Sequence, residues 1–200
     1  MKGITIHTRV CCDLDHCVFD FDATFLPFCK REGYGDVPKN YGVEGFDRFI
    51  TKRGHAEALF DYYQKEEHKK ENLIPGARPT LLALAREGAA VWYVSSRMVN
   101  AGLWTVRKMV ELGLPCSGVV CAGTKKLNVI LALSPSLIID DDHSLLLQAK
   151  RSISPTPDVV LIPAQSNEGK REKVDRCGWK GLKGFVEMRG KRKRKRRKKK

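Results

Sequence analysis

The sequence predicts an α/β protein with a Rossmann-like parallel sheet that is covered by helices on both faces. Two observations support this class. Apolar segments of strand length alternate with helical segments between residues 77 and 163, which is the order of βαβ units. Several of the apolar segments end in polar side chains, and ligands of such sheets gather at the carboxyl ends of the strands. A chain of 200 residues is long enough for one such domain with its own core.

The first strand is predicted over residues 4–12, because this run is rich in β-branched and apolar side chains. It ends abruptly in Asp-Leu-Asp. A helix is predicted over residues 21–30, where Phe21, Phe25 and Phe28 recur at helical spacing and therefore share one face.

A small, mainly helical cap is predicted to be inserted after the first strand and helix. Residues 33–50 are rich in glycine, proline and aromatic residues and receive no assignment, whereas residues 55–70 form a predicted amphipathic helix. Pro75-Gly76 is a turn that returns the chain to the core. The predicted division is a core of residues 1–32 and 74–188, a cap of residues 33–73 and a basic tail of residues 189–200.

The rest of the core alternates regularly. Helices are predicted where apolar residues repeat at helical spacing and end near a glycine, as at Gly88 and Gly113, and strands are predicted at short apolar runs. The predicted helices cover residues 77–86, 101–112, 126–133, 143–150 and 179–188, and the predicted strands cover residues 89–94, 118–121, 137–139 and 159–162.

Three predicted strands end in side chains that can carry chemistry. These side chains are Asp13 and Asp15, Ser95 and Ser96, and Asp140 and Asp141. The carboxyl ends of parallel strands lie at one edge of the sheet, so we expect these residues to form one site. Carboxylates held close together repel one another unless a cation neutralises them, and oxygen ligands favour Mg²⁺.

A lysine after a third strand, Lys125 or Lys126, would add a second positive charge, and the serine hydroxyls would add donors. A cation, a lysine and hydroxyl donors at one place stabilise the charge on a transferring phosphoryl group. The sequence therefore indicates phosphate-monoester chemistry.

Five segments resemble a known family. They are Asp13-Leu-Asp15-His-Cys-Val-Phe-Asp20-Phe21, Ile74-Pro75-Gly76-Ala77, Tyr93-Val94-Ser95-Ser96-Arg97, Ile138-Ile139-Asp140-Asp141, and Val159-Val160-Leu161-Ile162-Pro163 with a helix opening at Trp179. In this order they resemble the motifs of the haloacid dehalogenase superfamily, and within it the 5′(3′)-deoxyribonucleotidase family. The resemblance extends from Arg9 to Met188.

The resemblance implies roles for the acidic residues. Asp13 would be the nucleophile that takes the phosphoryl group as an aspartyl-phosphate. Asp15 would protonate the leaving oxygen and later deprotonate water, and its backbone carbonyl would reach Mg²⁺. Asp140 and Asp141 would complete the metal site with Asp13, directly or through water.

The resemblance also implies roles in substrate binding. Ser95, with Ser96 beside it, would hold the phosphate. Lys126 would bridge the phosphate and the nucleophile, with Lys125 as the other choice. Phe21 would lie against the base. Further base contacts are expected from the aromatic residues of the predicted cap, namely Tyr34, Tyr41, Phe46, Phe49, Tyr62 and Tyr63, which could equally form a small core of their own.

Two features depart from the family or compete with this assignment. The family has Gly-Val or Gly-Thr after the second aspartate, whereas this chain has His16-Cys17, which could crowd the site or add a donor. Asp20 and Asp22 form a second Asp-x-Asp pair, but the strand before Asp13 has the cleaner pattern.

Each motif also has a purely structural interpretation. The acidic run 140–142 could cap the following helix, as could Ser95 and Ser96, and a lysine pair is usually solvated. His143 is expected at a surface or cap, and His55 and His68 on exposed helix faces.

Charge and cysteine content suggest where the protein acts. The formal net charge is +14, and residues 191–200 contribute ten positive charges, leaving +4 for the rest. Such a run repels itself and should be disordered, and it could contact importin or bind nucleic acid non-specifically. The seven cysteines lack metal-ligand spacing and are expected to be reduced thiols. Without a signal peptide or membrane span, the chain is expected to be cytoplasmic or nuclear and not secreted.

Together these features predict a Mg²⁺-dependent phosphatase that acts on (deoxy)nucleoside 5′-monophosphates. One alternative keeps the site but changes the substrate to another small phosphomonoester or a nucleic-acid end. The other is a catalytically weak binding protein that its tail tethers to nucleic acid.

Overall fold

The computed structural model describes residues 9–36, 54–164 and 175–182. The beginning of the first predicted strand, the aromatic residues Tyr41, Phe46 and Phe49, and the basic tail lie outside these ranges. The predicted division into core and cap therefore stays a prediction.

The described chain forms a six-stranded sheet in the order β3-β2-β1-β4-β5-β6. Every neighbouring pair is parallel, which confirms the predicted sheet. The strands are β1 (Arg9–Cys12), β2 (Ala90–Ser95), β3 (Gly118–Cys121), β4 (Leu137–Asp140), β5 (Asp158–Leu161) and β6 (Asp175–Arg176). The sequence did not predict β6, because its two residues are charged and exposed.

Six α-helices lie wholly within the described ranges: α1 (Asp22–Arg31), α2 (Gly54–Gln64), α3 (Ala77–Arg86), α4 (Gly102–Glu111), α5 (Lys126–Leu133) and α6 (His143–Ser152). Residues 179–182, within the predicted final helix, are also helical. From α3 to α6 these bounds agree with the predicted helices to within two residues. No described helix has the length and apolar character needed to cross a lipid bilayer.

Helices cover both faces of the sheet, as predicted. Val10 and Cys12 of β1 pack in one apolar cluster with Leu81 of α3. Cys11, between them, points to the other face and packs with Leu146 of α6. Because β1 is central and buried on both faces, it reads as a continuous apolar run rather than an alternating one.

The predicted helix over residues 55–70 is divided in the structure. It ends at Gln64, Glu66 adopts a left-handed conformation with φ 58°, and a 3-10 turn follows over Glu67–Lys70. The turn buries His68, which is 1% exposed. The expectation that His68 lies on an exposed helix face was therefore wrong, because the helix stops before reaching it.

A third cluster joins α1 and α2. Phe21, Phe25 and Phe28 of the first helix region pack with Tyr62 and other aromatic side chains. Tyr34, Tyr62 and Tyr63 are at most 2% exposed. Among the described residues, the aromatic side chains of the predicted cap therefore form a core.

Candidate active site

The candidate site is built around Asp13, the first residue after β1. Its backbone N–H donates to the carbonyl of Ile139 in the neighbouring strand at 2.9 Å. The central position of β1 between β2 and β4 brings Asp13 near the ends of both strands. The Asp13 side chain is only 7% exposed, so it faces a recess rather than open solvent.

Lys126 joins two of the predicted acidic residues. It is the first residue of α5, and its Nζ lies 2.8 Å from Oδ1 of Asp13 and 2.8 Å from Oδ2 of Asp140. Lys126 is 5% exposed. The alternative lysine, Lys125, is exposed. The structure therefore brings Asp13, Lys126 and Asp140 together, although these residues are far apart in the sequence.

Burial and charge shift the pKa values of this trio. Burial raises the pKa of Asp13 well above its ordinary value, and Asp140 and Asp141 add to the rise, while Lys126 opposes it. Burial also raises the pKa of Asp140 to about 6, again against Lys126. Burial lowers the pKa of Lys126, but the two carboxylates raise it more, so it lies well above its ordinary value. Burial and crowding thus disfavour the ionised forms of these carboxyl groups unless a further cation lies beside them.

A group of side chains that could hold a metal ion lies beside this trio. Ligand atoms of Asp13, Cys17 and Asp141 all lie within 4.8 Å of one another. Burial raises the pKa of the Cys17 thiol well above its ordinary value, so the thiol keeps its proton and is a poor ligand. Two neighbouring carboxyl groups whose ionised forms a cation would stabilise suit Mg²⁺, which Asp13 and Asp141 would hold.

The other two aspartates of the acidic run, Asp140 and Asp142, make different contacts. Asp142 is the N-cap of α6 and accepts from the backbone N–H groups of Ser144 at 2.8 Å and Leu145 at 3.1 Å. Asp140 faces Lys126 and also accepts from the N–H of Asp142 at 2.9 Å. The capping interpretation thus applies to Asp142, and the metal role of Asp140 stays a prediction.

Asp15 lies at the edge of the site, with its side chain 22% exposed. Its carboxylate is bound by the guanidinium of Arg97, which follows the twin serines. Sequence reasoning assigned no role to Arg97. Its position directly after the serine motif was the only signal, and its partner lies 82 residues earlier.

His16, the main departure from the family pattern, lies between two carboxylates. Its Nε2 is 2.9 Å from Oδ1 of Asp22 and its Nδ1 is 3.5 Å from Oδ2 of Asp141. Burial lowers the pKa of His16, but hydrogen bonds to Asp141 and Asp22 raise it more, to about 11. The side chain therefore adds a positive charge beside the acidic group.

The competing pair Asp20 and Asp22 has a different setting. Asp20 is exposed and accepts from the N–H of Ala23 at 3.4 Å near the start of α1. Asp22 binds His16. Asp13, and not Asp20, occupies the end of the central strand.

The two serines also differ. Ser95 is the last residue of β2, is 1% exposed, and accepts from the N–H of Arg97 at 3.2 Å. Ser96 is exposed and lines an open cleft of about 380 Å³ together with Thr124 and Lys126. Since Lys126 also contacts Asp13, this cleft borders the candidate site.

Phe21 is 8% exposed and packs mainly against other aromatic rings. It stacks on Phe25 with ring centroids 4.6 Å apart, and its ring lies 5.8 Å from the His16 ring in an edge arrangement. Contact between Phe21 and a substrate base stays a prediction.

The seven cysteines all lie within the described residues, and none forms a disulfide. Two of them touch site residues: Sγ of Cys17 lies 3.9 Å from Oδ1 of Asp141, and Sγ of Cys12 donates to the backbone carbonyl of Asp13 at 3.2 Å.

Comparison with known proteins gives a consistent fold but no close relative. No protein-family model matches the chain, and no curated protein matches it. Among solved structures, a haloacid dehalogenase-like family hydrolase from Streptococcus pneumoniae matches with a TM-score of 0.60 at 13% identity, covering 91% of this chain and 99% of that chain. A "predicted phosphoglycolate phosphatase" from Haemophilus somnus gives a TM-score of 0.61 at 12% identity, with 92% and 100% covered.

CbbY from Rhodobacter sphaeroides, solved in complex with phosphate, is also similar, with a TM-score of 0.53 at 13% identity and coverage of 86% and 93%. The chain therefore has the fold of haloacid dehalogenase-like hydrolases. Its resemblance to the deoxyribonucleotidase family stays a prediction.

Proposed function

We propose that this protein is a Mg²⁺-dependent phosphomonoester hydrolase that works through an aspartyl-phosphate on Asp13. One observation carries the proposal. Asp13 follows the central strand in a haloacid dehalogenase-like fold, and its carboxylate lies 2.8 Å from a buried lysine that also binds Asp140. A nucleophile, a fixed cation and a nearby acidic group are the components that phosphoryl transfer requires.

The first half of the reaction forms the covalent intermediate. A carboxylate oxygen of Asp13 forms a bond to phosphorus while the bond from phosphorus to the leaving oxygen breaks. Asp15 gives its proton to that leaving oxygen. Lys126 stabilises negative charge on Asp13 and on the phosphoryl oxygens. Mg²⁺, when bound, supplies further positive charge for the phosphoryl group.

The second half releases phosphate. Asp15, now a carboxylate, takes a proton from water as the water oxygen bonds to phosphorus. The bond between phosphorus and Asp13 breaks, which regenerates both aspartates. Ser95 and Ser96 are proposed to hold the phosphate oxygens during both steps, because Ser95 ends β2 and Ser96 lines the cleft together with Lys126.

We propose (deoxy)nucleoside 5′-monophosphates as the substrates. The motif resemblance supports this class. Another small phosphomonoester is the alternative, since one protein of similar fold is described as a "predicted phosphoglycolate phosphatase". A panel of nucleotides, sugar phosphates and nucleic-acid ends, assayed with and without Mg²⁺, distinguishes these classes.

The assignment of the nucleophile is tested by two matched variants. Asp13→Asn should lower turnover by about 10³-fold or more while leaving the fold intact, because an amide cannot attack phosphorus. Asp20→Asn is the control, since Asp20 is exposed and belongs to the competing pair. Full activity of Asp13→Asn, or loss of activity in Asp20→Asn alone, contradicts the assignment.

For the basic run 191–200 we propose non-specific binding to nucleic acid or to importin, consistent with a cytoplasmic or nuclear location. Each phosphate contact releases counterions, so affinity for duplex DNA should fall steeply with salt. Deleting the run should flatten this dependence. An unchanged salt dependence would contradict nucleic-acid binding by the run. Binding without any phosphatase activity would favour the alternative of a tethered binding protein.

A further inference from the structure

We infer that Arg97 is a positioning residue for Asp15, held in place by the buried carboxylate of Glu71. The inference rests on the proposed function, in which Asp15 transfers protons. It assigns distinct tasks to Arg97, which the sequence motif included without a role, and to Glu71, which no motif included.

The contact between Arg97 and Asp15 is close and directional. Nε of Arg97 donates to Oδ1 of Asp15 at 3.0 Å and to Oδ2 at 3.1 Å, and Nη2 donates to Oδ1 at 2.5 Å. Oδ1 thus receives two donors and Oδ2 receives one. A planar guanidinium fixes the plane of a carboxylate as well as its distance.

Burial shows on which side Arg97 acts. The Arg97 side chain is 1% exposed, whereas that of Asp15 is 22% exposed. Arg97 therefore lies behind Asp15, on the side away from solvent, and a substrate entering from solvent meets Asp15 first. In this position Arg97 differs from an arginine that binds the phosphate itself, because such an arginine must reach the ligand.

Glu71 anchors the other side of the guanidinium. Its Oε2 accepts from Nη2 of Arg97 at 2.8 Å, its Oε1 accepts from the hydroxyl of Tyr62 at 3.0 Å, and its side chain is fully buried. Lys108 lies 3.9 Å from the same Oε2. The orientation of Arg97 is thus set by partners that do not belong to the reacting group.

Aromatic rings complete the support. The guanidinium carbon of Arg97 lies 5.4 Å from the ring centroid of Phe19 and 5.7 Å from that of Tyr63. Rings at this distance attract a cation and leave it little room to move. Asp15 is consequently held by a rigid, buried partner although it is itself partly exposed.

Such support matters most when the leaving group needs a proton. Asp15 must bring its acidic hydrogen within hydrogen-bond reach of the leaving oxygen as that oxygen separates from phosphorus. An alkoxide leaving group requires this proton, whereas p-nitrophenolate leaves readily without it. Loss of positioning should therefore slow alkyl phosphates more than p-nitrophenyl phosphate.

The test compares kcat for glycerol phosphate and p-nitrophenyl phosphate in Arg97→Lys and Arg97→Met. We expect kcat for glycerol phosphate to fall about tenfold or more beyond the fall for p-nitrophenyl phosphate. This difference is part of the ~10²–10⁴-fold rate increase that a general acid supplies. Lysine keeps the charge but not the planar contact, so it should share most of this defect. Equal losses on both substrates would overturn the inference.

Two controls separate positioning from folding. Met109→Ala removes a fully buried core side chain and should lower the melting temperature without changing the ratio of the two rates. In an Asp15→Asn background, Arg97→Lys should cause no further change in that ratio, since the group being positioned is absent. A further change there would mean that Arg97 acts elsewhere. If Arg97→Met does not fold, Arg97→Lys decides the outcome, because it retains a cation for Glu71.

The outcome also distinguishes this inference from the proposed function. A wild-type protein that hydrolyses neither these two substrates nor any nucleoside 5′-monophosphate contradicts both. A wild-type protein whose hydrolysis depends on Asp13, but whose substrate ratio ignores Arg97, contradicts the inference alone.

Discussion

Nδ1 of His16 lies 3.5 Å from Oδ2 of Asp141, and this contact is made from a left-handed backbone with φ 60°. A side chain in this conformation costs about 1–2 kcal/mol, and glycine avoids the cost. The residue is thus strained where the resembling family has glycine, and its imidazole neutralises part of the acidic group instead.

Replacing His16 with glycine should strengthen Mg²⁺ binding. The variant removes a positive charge near Asp141, which should strengthen Mg²⁺ binding by about 1 kcal/mol, or roughly fivefold in affinity. It also relieves backbone strain, and this relief offsets the stability lost with the ion pairs of His16. Calorimetric titration with Mg²⁺ measures the change directly. His16→Asn, which also tolerates the left-handed conformation, should behave alike. Weaker Mg²⁺ binding in both variants would show that His16 instead holds Asp141 for the ion.

Lys126→Met should damage both activity and stability. It removes the cation from two buried carboxylates, so unfolding free energy should fall by about 3 kcal/mol and turnover by about 10²-fold or more. Urea unfolding and steady-state kinetics measure the two effects. Lys125→Met is the matched control, because Lys125 is exposed and should change stability by less than ~0.5 kcal/mol. Large losses in Lys125→Met with small ones in Lys126→Met would instead assign the role to Lys125.

His68 should make stability depend on pH. Burial lowers its pKa to about 4, and the nearby cations Arg97 and Lys108 add to the shift. Between about pH 6.5 and pH 4 the unfolded chain binds a proton that the folded chain does not, so stability falls as pH falls through this window. Two further charged groups influence the pKa of His68: Glu66 raises it and Lys69 lowers it.

Removing that imidazole should flatten the dependence. For His68→Leu, the slope of unfolding free energy against pH should decrease by up to about 1.4 kcal/mol per pH unit within the window. Urea unfolding at several pH values from 4.5 to 7, about the range of the titration, provides the comparison with wild type. Parallel slopes for the two proteins would mean that His68 is protonated in the folded state.

Gly118 allows β3 to pair with β2 opposite a tryptophan. The two residues are partners in the register, and a Cβ at Gly118 would lie 2.4 Å from Cζ3 of Trp92. Gly118→Ala should therefore cost about 1–3 kcal/mol through overpacking. Gly178→Ala is the control, since nothing lies within 4 Å of its added Cβ. Thermal unfolding that shows equal shifts for the two variants would contradict the close packing at Trp92.

Much of the fold was predictable because its signals are local. The helix Ala77–Arg86 was predicted with its observed bounds because a glycine lies near each end, and in the structure Gly76 and Gly88 both adopt positive φ. The parallel sheet followed from the alternation of apolar strands and helices. The meeting of Asp13 with Asp140 followed in turn, because parallel strands place their carboxyl ends at one edge.

Other features depend on contacts between distant segments. The sequence favoured Lys126 and left Lys125 as the other choice, and the placement of α5 against the sheet buries only Lys126. It also could not foresee that the helix after residue 55 ends at Gln64, which buries His68.

The sequence by itself thus determined the α/β class and the strand ends at which acidic and hydroxyl side chains collect. Only the tertiary structure decided which charge meets which: Lys126 with Asp13 and Asp140, His16 with Asp141, and Arg97 between Asp15 and Glu71. The reason is physical. Hydrophobic periodicity reports the burial of a segment's own face, whereas the pairing of buried charges depends on the relative placement of segments that are remote in the chain.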